Sequence, residues 1–265
     1  MDNLQLLAEL HLDGARQGPG GDGLTRQALA LSGLAGRSGL KIADIGCGTG
    51  ASTLVLARDL DAEILAIDFL PSFLDALNTR AAQAGLGGRI RTLAASMENL
   101  PLQPGSLDAI WSEGAIYNIG FERGLREWRR YLKVGGVIAV SELTWLSAQR
   151  PAEIDAFWRA EYAEVDTASA KLAVLERQGY SPLGYFALPE SSWLDAYYRP
   201  LQARFAGFLA AHHGSAEAQA VVDEHVREIE LYERYRAYFS YGFYIARKLP
   251  EPSCPRPERA GAGRP

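Results

Sequence analysis

Cysteine and histidine are scarce in this chain, with two and four among 265 residues. Cys47 and Cys254 lie far apart, so no structural disulfide is expected between them and a reducing cytoplasm is the simpler setting. "DEHVRE", around His225, offers no second His or Cys at ligand spacing, so no metal site is expected. His212, His213 and His225 are read as surface residues of late helices. Extended Lys/Arg blocks are missing and the net charge is -5, which speaks against the basic face of a nucleic-acid binder. No apolar run reaches the length of a bilayer span. The opening "MDNLQLLAELHLDGARQGPGG" lacks a basic segment followed by an apolar core, so no signal peptide is expected. Internal repeats are also missing.

What is present is an ordinary globular composition, 48% apolar and 22% charged, on a chain long enough for one large domain. Leucines at 4, 6, 7, 10 and 12 predict a short helix, followed by the breaker-rich "GARQGPGGDG". A second helix, "TRQALALSGL", is expected to be capped by Thr25 or Asp22 and to end at Gly33 or Gly36. From Lys41 onward short apolar runs alternate with helical stretches: "KIADIG", "AEILAID", "RIRTLAA", "LDAIWSEG" and "GGVIAVSEL" read as strands, the last following a Gly-Gly turn. That alternation predicts a parallel sheet covered on both faces. After about residue 150 helices predominate, with strands at "PLGYFAL" and "YGFYIARK". The expected fold is therefore α/β and Rossmann-like: a mostly parallel seven-stranded sheet with helices on both faces, closed by an antiparallel hairpin with a long helical pair inserted late in the chain. The expected core spans about 37–147, an acceptor side spans about 148–249, and 250–265, rich in proline, is expected to be disordered.

"ADIGCGTGAS" places Gly46, Gly48 and Gly50 between a strand and a helix, where bare backbone lets a ligand approach. The spacing is not the G-x-G-x-x-G of a dinucleotide site, and no lysine follows as in a P-loop. Asp68 ends the second strand, where a carboxylate can accept from both hydroxyls of a ribose; its bland alternative is a cap before Pro71. Asp44 is polar within an apolar run and needs a partner, either the loop amides or a cationic amino group.

Together, "ADIGCGTG", "AIDFLPSFLDALNTRA", "ASMENLPLQPGSLDAIWSEGAIYNI" and "REWRRYLKVGGVIAVSE" resemble the class I S-adenosylmethionine-dependent methyltransferases, nearest the ubiquinone and menaquinone branch, over about residues 40–145. A bacterial subgroup of that family resembles the "RQGPGG" segment and the second half. The resemblance implies transfer of a methyl group from S-adenosyl-L-methionine to a small-molecule acceptor. It implies that Gly46, Gly48 and Gly50 lie against the cofactor, that Asp68 binds its ribose, that Phe69 packs on the adenine, and that Ser96 and Met97 flank that ring. Many relatives have an aspartate where Ser96 stands. Asp44 and Cys47 adjoin the same loop. Glu113, closing the fourth strand, belongs near the methionine end or the acceptor.

The electrophile in such a reaction is already activated, so alignment matters more than a catalytic triad. Glu113 and Tyr117 are the candidate catalytic groups, and Asn118, Glu142 and Trp145 are further candidates for acceptor contact. The alternatives are capping by Ser112 or Glu113, core packing by Tyr117, and a satisfied structural carboxylate at Glu142. Ten of the twelve tyrosines follow residue 150. Tyr162, Trp193, Tyr197 and Tyr198 could wall a pocket suited to an amine or another cation, or serve as core. Tyr232, Tyr235 and Tyr238 are given no role, although these helices could also form a homodimer surface. Cys47 lacks a neighbouring base and is not expected to be a nucleophile. Arg16 and Gln17 are expected to fold over bound cofactor as a lid. A nicotinamide-dependent oxidoreductase and a regulatory S-adenosylmethionine-binding protein without turnover are the competing readings.

Overall fold

The computed structural model describes residues 3–251. Apart from residues 250 and 251, the tail expected to be disordered lies outside the described residues, as does Cys254.

Among the described residues eight strands join one sheet. β1 (Leu40–Ile45), β2 (Ala62–Asp68), β3 (Ile90–Ala94), β4 (Leu107–Glu113) and β5 (Leu132–Trp145) are parallel, with a two-residue β6 (Asp166–Thr167) added beside β5. β7 (Tyr180–Ala187) and β8 (Phe239–Lys248) close the sheet as an antiparallel hairpin, with β8 paired to β5. The order is β3-β2-β1-β4-β5-β8-β7, with β6 off this path. The seven expected strands are all present, and β6 is the addition.

Helices cover both faces because alternate residues of the strands are apolar. Ile42, Ala109, Val137 and Phe243 face α2 (Asp22–Ser32), α3 (Ala51–Asp59) and α4 (Pro71–Gln83). Their neighbours Ala43, Ile110, Ile138 and Tyr244 face α5 (Phe121–Trp128) and α7 (Ala168–Arg177). A third core joins α1 (Asn3–Leu12), α6 (Ala152–Glu161), α8 (Glu190–Trp193), α9 (Arg199–Ala211) and α10 (Ala216–Tyr235) to Leu143, Trp145 and Phe239. α9 and α10 are the long pair expected between the strands of the hairpin, and a π turn, Leu194–Tyr198, leads into them.

Three local expectations are corrected. α2 starts at Asp22 with Gly21 as its cap residue, so neither Asp22 nor Thr25 caps it; the Thr25 hydroxyl instead reaches back to the Gly21 carbonyl and across to Glu113. Gly135 and Gly136 sit inside β5 rather than before it: Gly135 has φ 79° and the β4–β5 register shifts there, so the pair makes a bulge. His225 is buried, and His212 is largely covered where it meets Glu9 at 3.0 Å, because α10 and α9 pack on α1.

Candidate functional site

A cavity of about 540 Å³ opens at the carboxyl ends of β1, β2 and β4, where ligands of open α/β sheets bind. Its floor is the glycine loop after β1. Gly46 and Cys47 donate their amides to the Ile67 carbonyl, which ties the loop to the end of β2. Gly48 has φ 54°, and a Cβ there would lie 2.3 Å from Gln17 Oε1, so the bare backbone makes room for that side chain. Gly50, φ 88°, faces the other way: its missing Cβ would lie 2.0 Å from Leu77 Cδ1, and it does not line the cavity. Its glycine serves the packing of the loop against α4.

Asp68 lines the cavity. Its Oδ2 accepts from the Gly48 amide at 2.8 Å and its Oδ1 from the Leu70 amide at 3.0 Å. It thus organises the loop and also holds the chain ahead of α4, whose cap residue is Leu70. Burial pushes its carboxyl up, against the pull of those amides. Next to it Phe69 is 64% exposed and lines the same cavity, as do Ser96 and Met97 after β3.

Asp44 lies beneath this surface and does not line it. It is fully buried, and its Oδ2 accepts from the hydroxyls of Ser52 at 2.8 Å and Thr53 at 2.6 Å, so this oxygen is held by hydroxyls of α3 rather than by loop amides. Burial raises its carboxyl to about 7 despite those bonds. Burial likewise pushes the Cys47 thiol well up, with Asp44 and Asp68 adding to it, so this lining residue stays a protonated thiol.

Glu113 lines the cavity but its carboxylate is already engaged. Oε2 accepts from Arg16 Nη1 at 2.8 Å; Oε1 accepts from Thr25 at 2.7 Å and from the Trp111 indole at 2.9 Å. Tyr117 and Asn118 occupy the helical turn Ile116–Asn118 after β4 and line the cavity too, with Tyr117 41% exposed.

Arg16 and Gln17 form a strap over the loop. Gln17 Nε2 donates to the Thr49 hydroxyl at 2.9 Å, and its Oε1 accepts from the Thr49 amide at 2.9 Å. Arg80 of α4 braces the strap from below, donating to Thr49 Oγ1 at 2.5 Å and to the Gly14 carbonyl at 3.0 Å. Trp111, Thr49 and Arg80 were not singled out from the sequence, and Thr25 only as a helix cap, since each acts through a contact that no local spacing announces.

The remaining candidates stand back from the cavity. Glu142 is fully buried, with Lys171 Nζ 3.4 Å away, and burial raises it to about 7 against that cation. Trp145 is buried under the Arg150 guanidinium, 4.1 Å from its ring centre. The Tyr162 hydroxyl accepts from the Phe121 amide at 3.2 Å. Trp193, Tyr197 and Tyr198 are buried in the third core. Among the described residues no group of three or more His, Cys, Asp or Glu is arranged to hold a metal ion, and no helix is long and apolar enough to cross a membrane.

Comparison with known proteins agrees with this geometry. Residues 42–136 match a family model described as a methyltransferase domain. A malonyl-[acyl-carrier protein] O-methyltransferase of Dechloromonas aromatica is 37% identical over 101 residues, covering 38% of this chain and 35% of that protein. A ubiquinone/menaquinone biosynthesis C-methyltransferase of a Geobacter species is 32% identical over 107 residues, covering 39% and 46%. The chain thus spans about a third to a half of the length of these relatives. Among solved structures, an S-adenosylmethionine-dependent methyltransferase of Geobacter sulfurreducens in complex with S-adenosyl-L-homocysteine superposes with a TM-score of 0.80 at 19% identity, covering 91% of this chain and 97% of that one. The fold is thereby the Rossmann-like one of these enzymes.

Proposed function

With the class I methyltransferase domain at residues 42–136 as premise, we propose that the chain binds S-adenosyl-L-methionine in the cavity and transfers its methyl group to a small molecule. The observation that carries this reading is the pairing of Asp68 with Phe69. A carboxylate ending β2 and bonded to the glycine loop stands beside a largely exposed aromatic ring in one cavity. The carboxylate oxygens keep lone pairs for two ribose hydroxyls after accepting the backbone amides, and the ring offers a face to a purine. Ser96 and Met97 border the same space from β3, and Gly46 and Gly48 present backbone to the amino-acid end. The residues present therefore suit adenine, ribose and methionine in that order.

Bound there, the cofactor would supply an activated methyl group, and the protein's part is alignment. Glu113, engaged by Arg16, Thr25 and Trp111, positions the strap and is a poor general base; Tyr117, lining the cavity beside it, is the residue placed to meet the acceptor. In this reading residues 37–147 hold the cofactor and 148–249 shape the acceptor side of one domain. A buried, free Cys47 suits a reducing cytoplasm, and the net charge of -5 suits a small-molecule acceptor better than a nucleic acid.

Replacing Asp68→Ala tests the reading by calorimetry with S-adenosyl-L-homocysteine. The wild type should bind, and the variant about tenfold or more weaker, because the ribose loses its acceptor. Binding of NADH in place of S-adenosyl-L-homocysteine, or equal affinity of variant and wild type, would overturn it.

A further inference from the structure

Beyond Glu113 the cavity reaches Tyr117, and aromatic rings of the third core stand behind it. Tyr117 lines the cavity together with Gly114. Behind Gly114 stands Tyr241 of β8: a Cβ on that glycine would lie 2.9 Å from Tyr241 Cε2. Tyr241 meets Trp193 edge-on at 4.9 Å between ring centres, Trp193 abuts Tyr198 at 5.8 Å, and Tyr198 packs on Tyr197 at 5.0 Å. The Tyr198 hydroxyl donates to Glu228 Oε1 at 2.8 Å, which fixes a carboxylate of α10 against these rings.

The charges around these rings are unbalanced. Burial and then the carboxylates of Glu228 and Glu142 push the Tyr117 hydroxyl up, and Tyr241 is raised by burial, Tyr117 and the same two carboxylates. The cations nearby are committed elsewhere. Lys171 sits 3.4 Å from Glu142 and over the rings of Phe121 and Tyr162, Arg16 is held by Glu113, and Arg204 donates to the Leu10 carbonyl at 3.1 Å while bearing on Tyr197. Glu228 is faced by Tyr198 from the π turn, by His225 on its own helix and by Glu161 from α6. Aromatic faces together with a carboxylate recognise a positive charge.

We propose that the methyl acceptor is a small amine, its nitrogen held at the ring faces of Tyr117 and Tyr241 and its positive charge answered by Glu228. This rests on the reading of the cavity as the S-adenosyl-L-methionine site. The amine, arriving as an ammonium ion, gives one proton to the Glu228 carboxylate, from which it passes to solvent. The freed nitrogen lone pair forms the N–C bond to the methyl carbon while the S–C bond breaks and its electron pair stays on sulfur. The products are a methylated ammonium ion and a neutral thioether, so charge and atoms balance. Burial pushes the Glu228 carboxyl up, against the Tyr198 hydrogen bond, in the direction a proton acceptor of this kind needs.

Calorimetry of the whole protein saturated with S-adenosyl-L-homocysteine tests this without turnover, using tetramethylammonium and its uncharged counterpart of similar size, tert-butanol. Tetramethylammonium should bind at least about tenfold more tightly than tert-butanol. Glu228→Gln, whose amide oxygen can still accept from Tyr198, should weaken the cation by about tenfold and leave S-adenosyl-L-homocysteine affinity within about twofold. Tyr117→Leu, at the half-open rim, should also lose the cation and guards against a folding defect in the first variant. Equal binding of the two probes, no binding of the cation, or no effect of either variant would overturn the proposal. Failure of S-adenosyl-L-homocysteine itself to bind would instead overturn the cofactor reading. Transfer of a labelled methyl group to primary and secondary amines, and not to the matched alcohols, is the corresponding expectation for turnover; transfer to the alcohols alone would also overturn it.

Discussion

Arg16 donates to Glu113 at 2.8 Å across 97 positions of sequence, and the two side chains are only 10% and 8% exposed. The contact ties the glycine-rich segment ahead of the core to the carboxyl end of β4. Because Gln17, the next residue, grips Thr49, one short strap spans both the floor and the far wall of the cavity. An ion pair at this depth is costly to leave half made, since the remaining charge stays desolvated.

Arg16→Ala is therefore expected to cost about 3 kcal/mol of stability, read as a shift in the urea midpoint, and to weaken S-adenosyl-L-homocysteine binding beyond what unfolding explains. The double variant Arg16→Met with Glu113→Gln removes both charges and should recover more than half of the stability but not the binding. If Arg16→Ala alone is neutral, the strap is not anchored by this pair.

Gly50 gives a second expectation. Gly50→Ala would set a Cβ 2.0 Å from Leu77 Cδ1 in backbone with φ 88°, and Leu77 is fully buried with little room to yield. Clash and strain together predict a loss of about 3 kcal/mol. Gly85, φ 70° with nothing within 4 Å of its Cβ position, carries the strain alone, so Gly85→Ala should lose only about 1 kcal/mol. Comparable thermal shifts for the two variants would contradict the packing role given to Gly50.

Much of the architecture was legible in the sequence because it is written locally. β1, the glycine loop and α3 follow one another within twenty residues, and strand periodicity marks both members of the closing hairpin even though α9 and α10 separate them. What escaped depends on contacts that local spacing does not encode. A Gly-Gly pair reads as a turn, yet the bulge at Gly135 lets β5 continue, because β4 and the antiparallel β8 hold its two sides. Glu113 was visible as a carboxylate at a strand end, but its saturation by Arg16, Thr25 and Trp111 was not, and that changes what it can do. Glu228 sits in the charged-looking "DEHVREIELYERY", where helical periodicity gives no sign that one glutamate turns inward to Tyr198.

His225 was misread in the same way, and its contact with His11 sets a pH dependence. His225 Nδ1 lies 2.7 Å from the Val221 carbonyl and must carry a hydrogen to bond it, and His225 Nε2 lies 3.1 Å from His11 Nε2. A proton added to His11 would charge a ring buried against this contact. Burial, then His225 and Arg204, lowers His11 to about 3, whereas in the unfolded chain it titrates at its ordinary value of 6.5. Below pH 6.5 the unfolded chain thus takes up a proton that the folded chain refuses. Stability from this group is complete above pH 6.5 and is lost progressively as pH falls toward 3. Between pH 7 and pH 5 the loss should be about 2 kcal/mol. Urea unfolding at the two pH values measures it, and His11→Phe, which keeps a ring against Tyr197 but cannot titrate, should flatten the difference. An equal pH dependence in the variant would show that His11 is not the group responsible.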